Sequence, residues 1–330
     1  MIKSKFKSQK YKRGLRQSFL TFYFLKMKRS ISLGILLTVI GSIFFSTKAV
    51  IVKYAFSKTP VDAVSLLAVR MLFSLPFYLG AAWITSRRKD NVKMTRRQWV
   101  IVLSLGLFGY YLSSLFDFMG LRYISAGIER LILFLYPTFV ALINAAVFKE
   151  KITKLQKIAL LLTYGGILLA YIGELTFNIH TPGFFLGSLL IFICSITFAV
   201  YVVGSGRMIP VLGATKFTTY VMLASTSGVF LNFLLAGNYT ILSSGSDFLW
   251  YGLLLGIIAT VIPSFLISFG TKQVGANNVA IISSIGPVST ILQAHFILDE
   301  PIFTAQIIGT VMVVGGVVLI GWKRNIKLSH

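Results

Sequence analysis

The chain has 330 residues, of which 56% are hydrophobic and 12% charged, with a mean hydropathy of +0.82. A soluble domain carries about a quarter charged residues. Here the apolar residues come in long blocks rather than at amphipathic spacing, which excludes a soluble fold and marks an all-α polytopic membrane protein. The formal charge of +23 would suggest a nucleic-acid binder in a soluble chain. The basic residues lie between the apolar runs, however, so they read as topology markers, with no nucleic acid as partner.

Residues 1–30 are basic, and their apolar piece is too short to span. They read as a cytoplasmic tail able to bind an anionic leaflet, or as an upstream extension before a working start at Met27. Ten spans follow, at about 20 residues per crossing: 31–55, 61–84, 98–119, 125–148, 155–173, 183–204, 214–236, 248–270, 275–297 and 304–322. The first lacks a secretory cleavage site and reads as an uncleaved span; residues 323–330 form a second tail. With the N-terminus inside, the inner segments carry 26 of the 32 Lys and Arg, and the outer loops only Lys58 and Arg122. This asymmetry predicts a multi-pass protein of the cell inner (plasma) membrane with both termini cytoplasmic. Cys194 lies alone in an apolar run and reads as packing.

Shifted by 150 residues, 98–172 falls on 248–322 without a gap. Gly106 meets Gly256, Gly120 meets Gly270, Pro137 meets Pro287 and Glu150 meets Glu300. The earlier helices match more loosely. Two repeats, 31–173 and 183–322, therefore hold five spans each, and an odd number turns the second copy upside down in the bilayer. Inverted repeats are a mark of secondary transporters.

The stretches "GSIFFSTK", "VRMLFSLPF" and "YISAGIERLILFLYPTFVALINAAVFKEKIT", with "VGANNVAIISSIGPVSTILQAHFILDEPIF" in the second half, resemble EamA domains. The likeness is to the EamA branch of the drug/metabolite transporter superfamily and covers about residues 32–322. It implies ten helices in two inverted repeats around a central cavity, and transport, commonly export, of amino acids, metabolites, amines or drugs. One departure stands out: the second half lacks the charges of the first.

Those charges are the candidate site. Lys48, Arg70, Asp117, Glu129 and Arg130 all fall within spans, where a charge near a helix centre costs about 2.5–3.5 kcal/mol on insertion scales. Glu129 and Arg130 point about 100° apart on a helix, so each needs another partner. Asp117, on the preceding helix, is the expected partner of Arg130. It is also the first suspect for exchanging a proton or facing a substrate amine. Tyr110 and Ser113 share its small, polar face. Lys48 can snorkel, neutralise Asp117 or greet an anion, and Arg70 reads as a structural ion-pair partner. Glu129 and Arg130 read equally well as a tie at the helix end.

Pro137 and Pro287 each remove a backbone hydrogen bond mid-span, which bends the helix and frees carbonyls for a cavity wall. The same helices carry Asn144, Thr290, Gln293 and His295, of which one or two are expected to reach that cavity. Glu150 and Glu300 read as helix-start residues. No nucleotide, metal or hydrolase motif is present, so no cofactor and no metal are expected and the chain does not read as an enzyme. The reading is a secondary transporter of a small metabolite, by alternating access and with protons as a candidate coupling ion. Membrane lipids are its surroundings, and its oligomeric state is left open. A channel or lipid scramblase on the same repeat is the alternative, and an intramembrane enzyme the distant one.

Overall fold

The computed structural model describes residues 31–87, 93–149, 154–178, 182–237 and 247–326. The tail before Ile31, the Met27 start, Glu150 and the last four residues lie outside the described residues. What is described is helical throughout: α1 (Ile31–Lys58), α2 (Ala63–Ser86), α3 (Arg96–Gly120), α4 (Ala126–Phe148) and α5 (Lys154–Asn178). The second half follows as α6 (Phe184–Leu212), α7 (Ala214–Ala236), α8 (Phe248–Val274), α9 in two pieces (Ala276–Ile282 and Ile285–Leu298) and α10 (Thr304–Ile326). Among the described residues, eight are long and apolar enough to cross a membrane. The apolar parts found in α5 and α10 are shorter, Leu160–Gly173 and Thr304–Gly316. Large apolar side chains lie outermost, Leu235, Phe296 and Leu161 being more than 70% exposed. Such a surface suits acyl chains and would aggregate in water.

Helix starts follow local chemistry. Asp62 accepts from the backbone N–H of Val64 and Ser65 (both 2.9 Å) to open α2, and Thr95 with Gln98 forms a capping box on α3. α6 runs on to Leu212, past the expected end at 204, and stops at Gly213, which holds a φ of +82°. That conformation suits glycine and turns the chain sharply into α7.

The internal repeat is visible in local geometry. Lys149 and Asp299, 150 positions apart, both end their helices at φ 55° and ψ 27°, a left-handed cap uncommon outside glycine. α3 contains a π-helical stretch at Leu105–Tyr111, and α8 one at Ile257–Val261. α4 and α9 both break just before a proline, at Phe134–Leu135 and at Ser283–Ser284. The prolines thus stand near the start of a new half-helix rather than inside a smooth bend. An N–H there has no helical acceptor to lose.

The repeats also exchange partners. A Cβ on Gly106 of α3 would meet the Val221 carbonyl and Ala224 of α7, both at 2.6 Å. A Cβ on its mate Gly256 of α8 would meet the Arg70 carbonyl (2.8 Å) and Phe73 (2.9 Å) of α2. Gly120 packs on the Gly187 carbonyl and Ile191 of α6, while Gly270 packs on the Gly34 carbonyl and Thr38 of α1. Glycine permits this close backbone approach, which supplies van der Waals contact where lipid gives no hydrophobic drive. The second exchange aligns Gly34 with Gly187 and Thr38 with Ile191, and so Phe45 with Phe198. These two rings stack on each other at 6.0 Å. Each half therefore packs chiefly against the other, and Phe45 and Phe198 meet where the two halves face each other.

Candidate functional site

A cavity of about 660 Å³, its open mouth included, lies beside that ring pair. α1 contributes Ser42 and Phe45; α4 contributes Arg130, Leu133, Phe134 and Tyr136. The rest of the wall comes from α6 (Phe198, Tyr201, Val202, Ser205, Ile209), α8 (Ile267, Ser268, Thr271) and α9 (Ala276, Val279, Ala280, Ser283). The mix of apolar wall with a few polar groups is typical of small-molecule sites. Aromatic edges close one side: Tyr136 meets Phe198 at 5.0 Å and Phe134 at 5.5 Å, and Tyr201 meets Phe198 at 5.8 Å. The helix breaks before Pro137 and Pro287 place Leu133, Phe134 and Ser283 on the wall.

Arg130 is the only charged residue of this lining. It is 3% exposed, and its guanidinium packs 5.1 Å from the Phe45 ring centre. Nη2 donates to Ser46 Oγ (3.2 Å), and Ser46 in turn donates to the Gly286 carbonyl (3.2 Å). A Cβ on Gly286 would come within 2.6 Å of Nη2, so glycine leaves the room the guanidinium fills. Nε has no acceptor among the described residues.

The expected Asp117–Arg130 pair is not formed. Asp117 binds Lys48 instead, Oδ2 to Nζ at 2.7 Å, and Glu129 Oε1 lies 3.9 Å from the same nitrogen. Spacing in sequence favoured Arg130 because a short turn joins its helix to that of Asp117. Packing of α3 with α1 and α6 puts Lys48 nearer. Both carboxylates are fully buried, and their oxygens have no hydrogen-bond donor besides that ammonium among the described residues. Two carboxyl groups thus share one ammonium in a buried site, with Arg130 beside them and no ion pair to it among the described residues. Lys48 and Arg130 both lie over the Phe45 ring, at 5.0 and 5.1 Å.

Arg70 was expected to pair with a carboxylate and does not among the described residues. Its Nε donates to Thr260 Oγ1 (2.6 Å), Nη2 to Tyr110 Oη (3.1 Å) and Nη1 to Ser114 Oγ (3.5 Å), and it faces the Phe118 ring at 5.3 Å. Tyr110 lies in the π-helical stretch of α3 and Thr260 in that of α8. Arg70 therefore pins the irregular turns of both repeats together, and Thr260 also bonds the Leu255 carbonyl (2.7 Å).

Asn144, Thr290, Gln293 and His295 do not line the cavity. Thr290 is buried and donates to the Ser46 carbonyl at 3.4 Å, next to the residue that holds Arg130. Gln293 bonds Ser289 on its own helix, and His295 is exposed and bonded to the Glu300 carbonyl (2.9 Å). Asn144 is half-buried on the last turns of α4. Ser113 is buried and donates to the Tyr110 carbonyl. Glu300 acts as a cap, though of another helix: its carboxylate accepts from the Ala126 and Gly127 N–H groups (3.0 and 3.4 Å) at the start of α4. Sequence reasoning missed Phe45, Ser46, Tyr136, Phe198 and Tyr201. Phe45 stands one helical turn before Lys48, and that spacing was the available signal.

Residues 32–172 and 185–322 match the EamA-like transporter family, nearly the whole chain in two copies. The chain belongs to that family. It is similar to the uncharacterized transporter YcbK of Bacillus subtilis (strain 168), 29% identical over 294 residues, covering 85% of this chain and 90% of that one. It is also similar to the uncharacterized transporter sll1319 of Synechocystis sp., 25% identical over 327 residues and covering 88% and 94%. A solved crystal structure shares the fold with a TM-score of 0.65 at 19% identity, covering 88% of this chain and 97% of that one. This EamA-family chain is a multi-pass membrane transporter with one EamA copy in each half.

Proposed function

We propose that the chain is a secondary carrier, working as an exporter, of a small metabolite such as an amino acid, amine or drug-like compound. Its ten helices form two inverted repeats in the inner membrane, with both termini cytoplasmic. One observation carries the reading. Tyr201, Ile267, Val279 and Ala280 line the cavity, and their mates in the first repeat are Lys48, Asp117, Glu129 and Arg130. The cavity wall thus draws on both repeats, but where the second repeat gives it these four uncharged residues the matching positions of the first carry the ionic cluster, of which Arg130 alone reaches the cavity.

In a carrier whose copies exchange roles, the opposite-facing state opens those matching positions. Lys48, Asp117 and Glu129 would then be the groups wetted. Two carboxylates on one ammonium can hold one proton more or less without rearranging the backbone, which suits proton coupling. The partner exchange of Gly106 and Gly256 supports the inverted arrangement, as does the meeting of the 299–303 loop with the start of α4 at Glu300. Arg207, Lys216 and Lys272 lie close in sequence to the cavity residues Ile209 and Ala276, and such a basic flank supports a cytoplasmic side there.

Two measurements test this. In proteoliposomes, Asp117→Asn should abolish transport or its pH dependence; unchanged pH-dependent flux removes Asp117 from the coupling role. In a Cys194→Ser background, an impermeant maleimide should reach Lys149→Cys and Asp299→Cys from opposite faces. Labelling from one face ends the inverted arrangement and the carrier reading with it, and non-saturable flux points to a channel or scramblase.

A further inference from the structure

Arg130 has an uncommon environment for a cation inside a membrane. It is 3% exposed, makes one hydrogen bond, to Ser46, and forms no ion pair among the described residues. A guanidinium carries five N–H donors in a flat fork that matches a carboxylate. Removing such a group from water costs several kcal/mol unless a partner returns it. The neighbouring carboxylates do not serve, since Asp117 and Glu129 are gathered on Lys48. Arg130 instead lines the cavity, whose lining includes no acidic residue.

Much of the remaining wall is aromatic, formed by Phe198, Tyr136 and Tyr201 beside the Phe45 ring on which the guanidinium packs, and Ser42 and Ser283 also line it. The hydroxyls of Ser42 and Ser283 already bond each other at 2.8 Å. Of the rings on the wall, Phe45 already carries Lys48 and Arg130, and the lining offers a ligand amine no carboxylate. We propose that the cavity binds an organic anion: a carboxylate taken by the Arg130 guanidinium, carrying a flat or branched apolar body that packs on the Phe198, Tyr136 and Tyr201 rings. The inference rests on the carrier reading and narrows its cargo, which must bear a carboxylate; simple amines are excluded.

The arrangement separates two roles. Arg130 meets the cargo's charge, and the Lys48–Asp117–Glu129 group behind it remains available for the coupling ion. Ser46 orients the fork through Nη2, and Nε, buried, has no acceptor among the described residues.

The test uses the full-length protein in detergent and three probes with one body: 3-phenylpropionate, 3-phenylpropanamide and 3-phenylpropylamine. Binding is read by isothermal calorimetry and by thermal stabilisation. The carboxylate is expected to bind at least tenfold tighter than the amide and the amine. Arg130→Gln should erase that preference, and Arg130→Lys, which keeps the charge and loses the fork, should reduce carboxylate affinity about tenfold. Where Arg130→Gln elutes as aggregate, Arg130→Lys decides. Equal or better binding of the amine overturns the proposal, as does no binding of the carboxylate or unchanged carboxylate affinity in Arg130→Lys. Flux in proteoliposomes keeps the two claims apart. Carboxylate binding through Arg130 without translocation removes the carrier and leaves this site standing. Saturable flux competed by the amine alone removes this site and leaves the carrier standing.

Discussion

Phe45 and Phe198 occupy matching places in the two repeats and stack on one another, yet one turn further along the first repeat has Lys48 and the second has Tyr201. The same divergence recurs on α3 and α8, where Asp117 faces Ile267, and on α4 and α9, where Glu129 and Arg130 face Val279 and Ala280. What both copies keep are the features a helix bundle needs: glycines at close crossings, wide turns, breaks before prolines and matched left-handed caps. What one copy alone keeps is the charge. A duplicated scaffold can thus specialise one of its surfaces for ions and leave the other apolar and aromatic, because packing constrains backbone approach and leaves side chains on the shared axis free to diverge.

The largest expected effect breaks the charged half directly. Lys48→Met leaves two carboxylates buried without their cation and should cost about 3–5 kcal/mol. Thermal unfolding of the purified variant should show a deep loss, partly restored by adding Asp117→Asn; equal losses in the single and double variants would mean that Lys48 does not hold the pair. Next in size is Arg70→Lys, which loses the guanidinium bonds to Thr260 and Tyr110 and should destabilise by about 2 kcal/mol. The same assay reads it, and a parallel Val221→Ala at the matching position of the second repeat should cost less.

Smaller again is Glu300→Ala, which removes the acceptor at the start of α4 and should cost about 1 kcal/mol by thermal unfolding. The smallest is His295→Ala: exposed and away from the cavity, it should leave flux within about twofold of the parent. A large loss there would place the pathway elsewhere and undo the contrast between repeats.

Much of this was legible along the chain. Block hydrophobicity placed the helices to within a few residues, since α1 to α10 fall on the expected segments and eight are long and apolar enough to cross a membrane among the described residues; α6 runs two turns further, through Pro210, and stops at Gly213. The charged residues were legible too, as each stands out against an apolar run. Their pairing was not. Adjacency along the chain favoured Asp117 with Arg130, whereas the side chain that reaches Asp117 comes from α1, 69 positions away. Of the four polar residues from which one or two are expected to reach the cavity, Gln293 and His295 do not line it for a related reason: a polar residue in a helix shows that a partner exists, and both have theirs within a turn or two, at Ser289 and Glu300.

By itself the sequence determined that this chain lives in a bilayer, that it is built twice, and that its ionic groups belong to one copy. Those properties follow from composition and period, which are local and add along the chain. Only the tertiary structure decided which cation neutralises the carboxylates and which one is left facing a cavity. Ion pairing in a medium of low dielectric depends on distances between helices, and packing alone sets those.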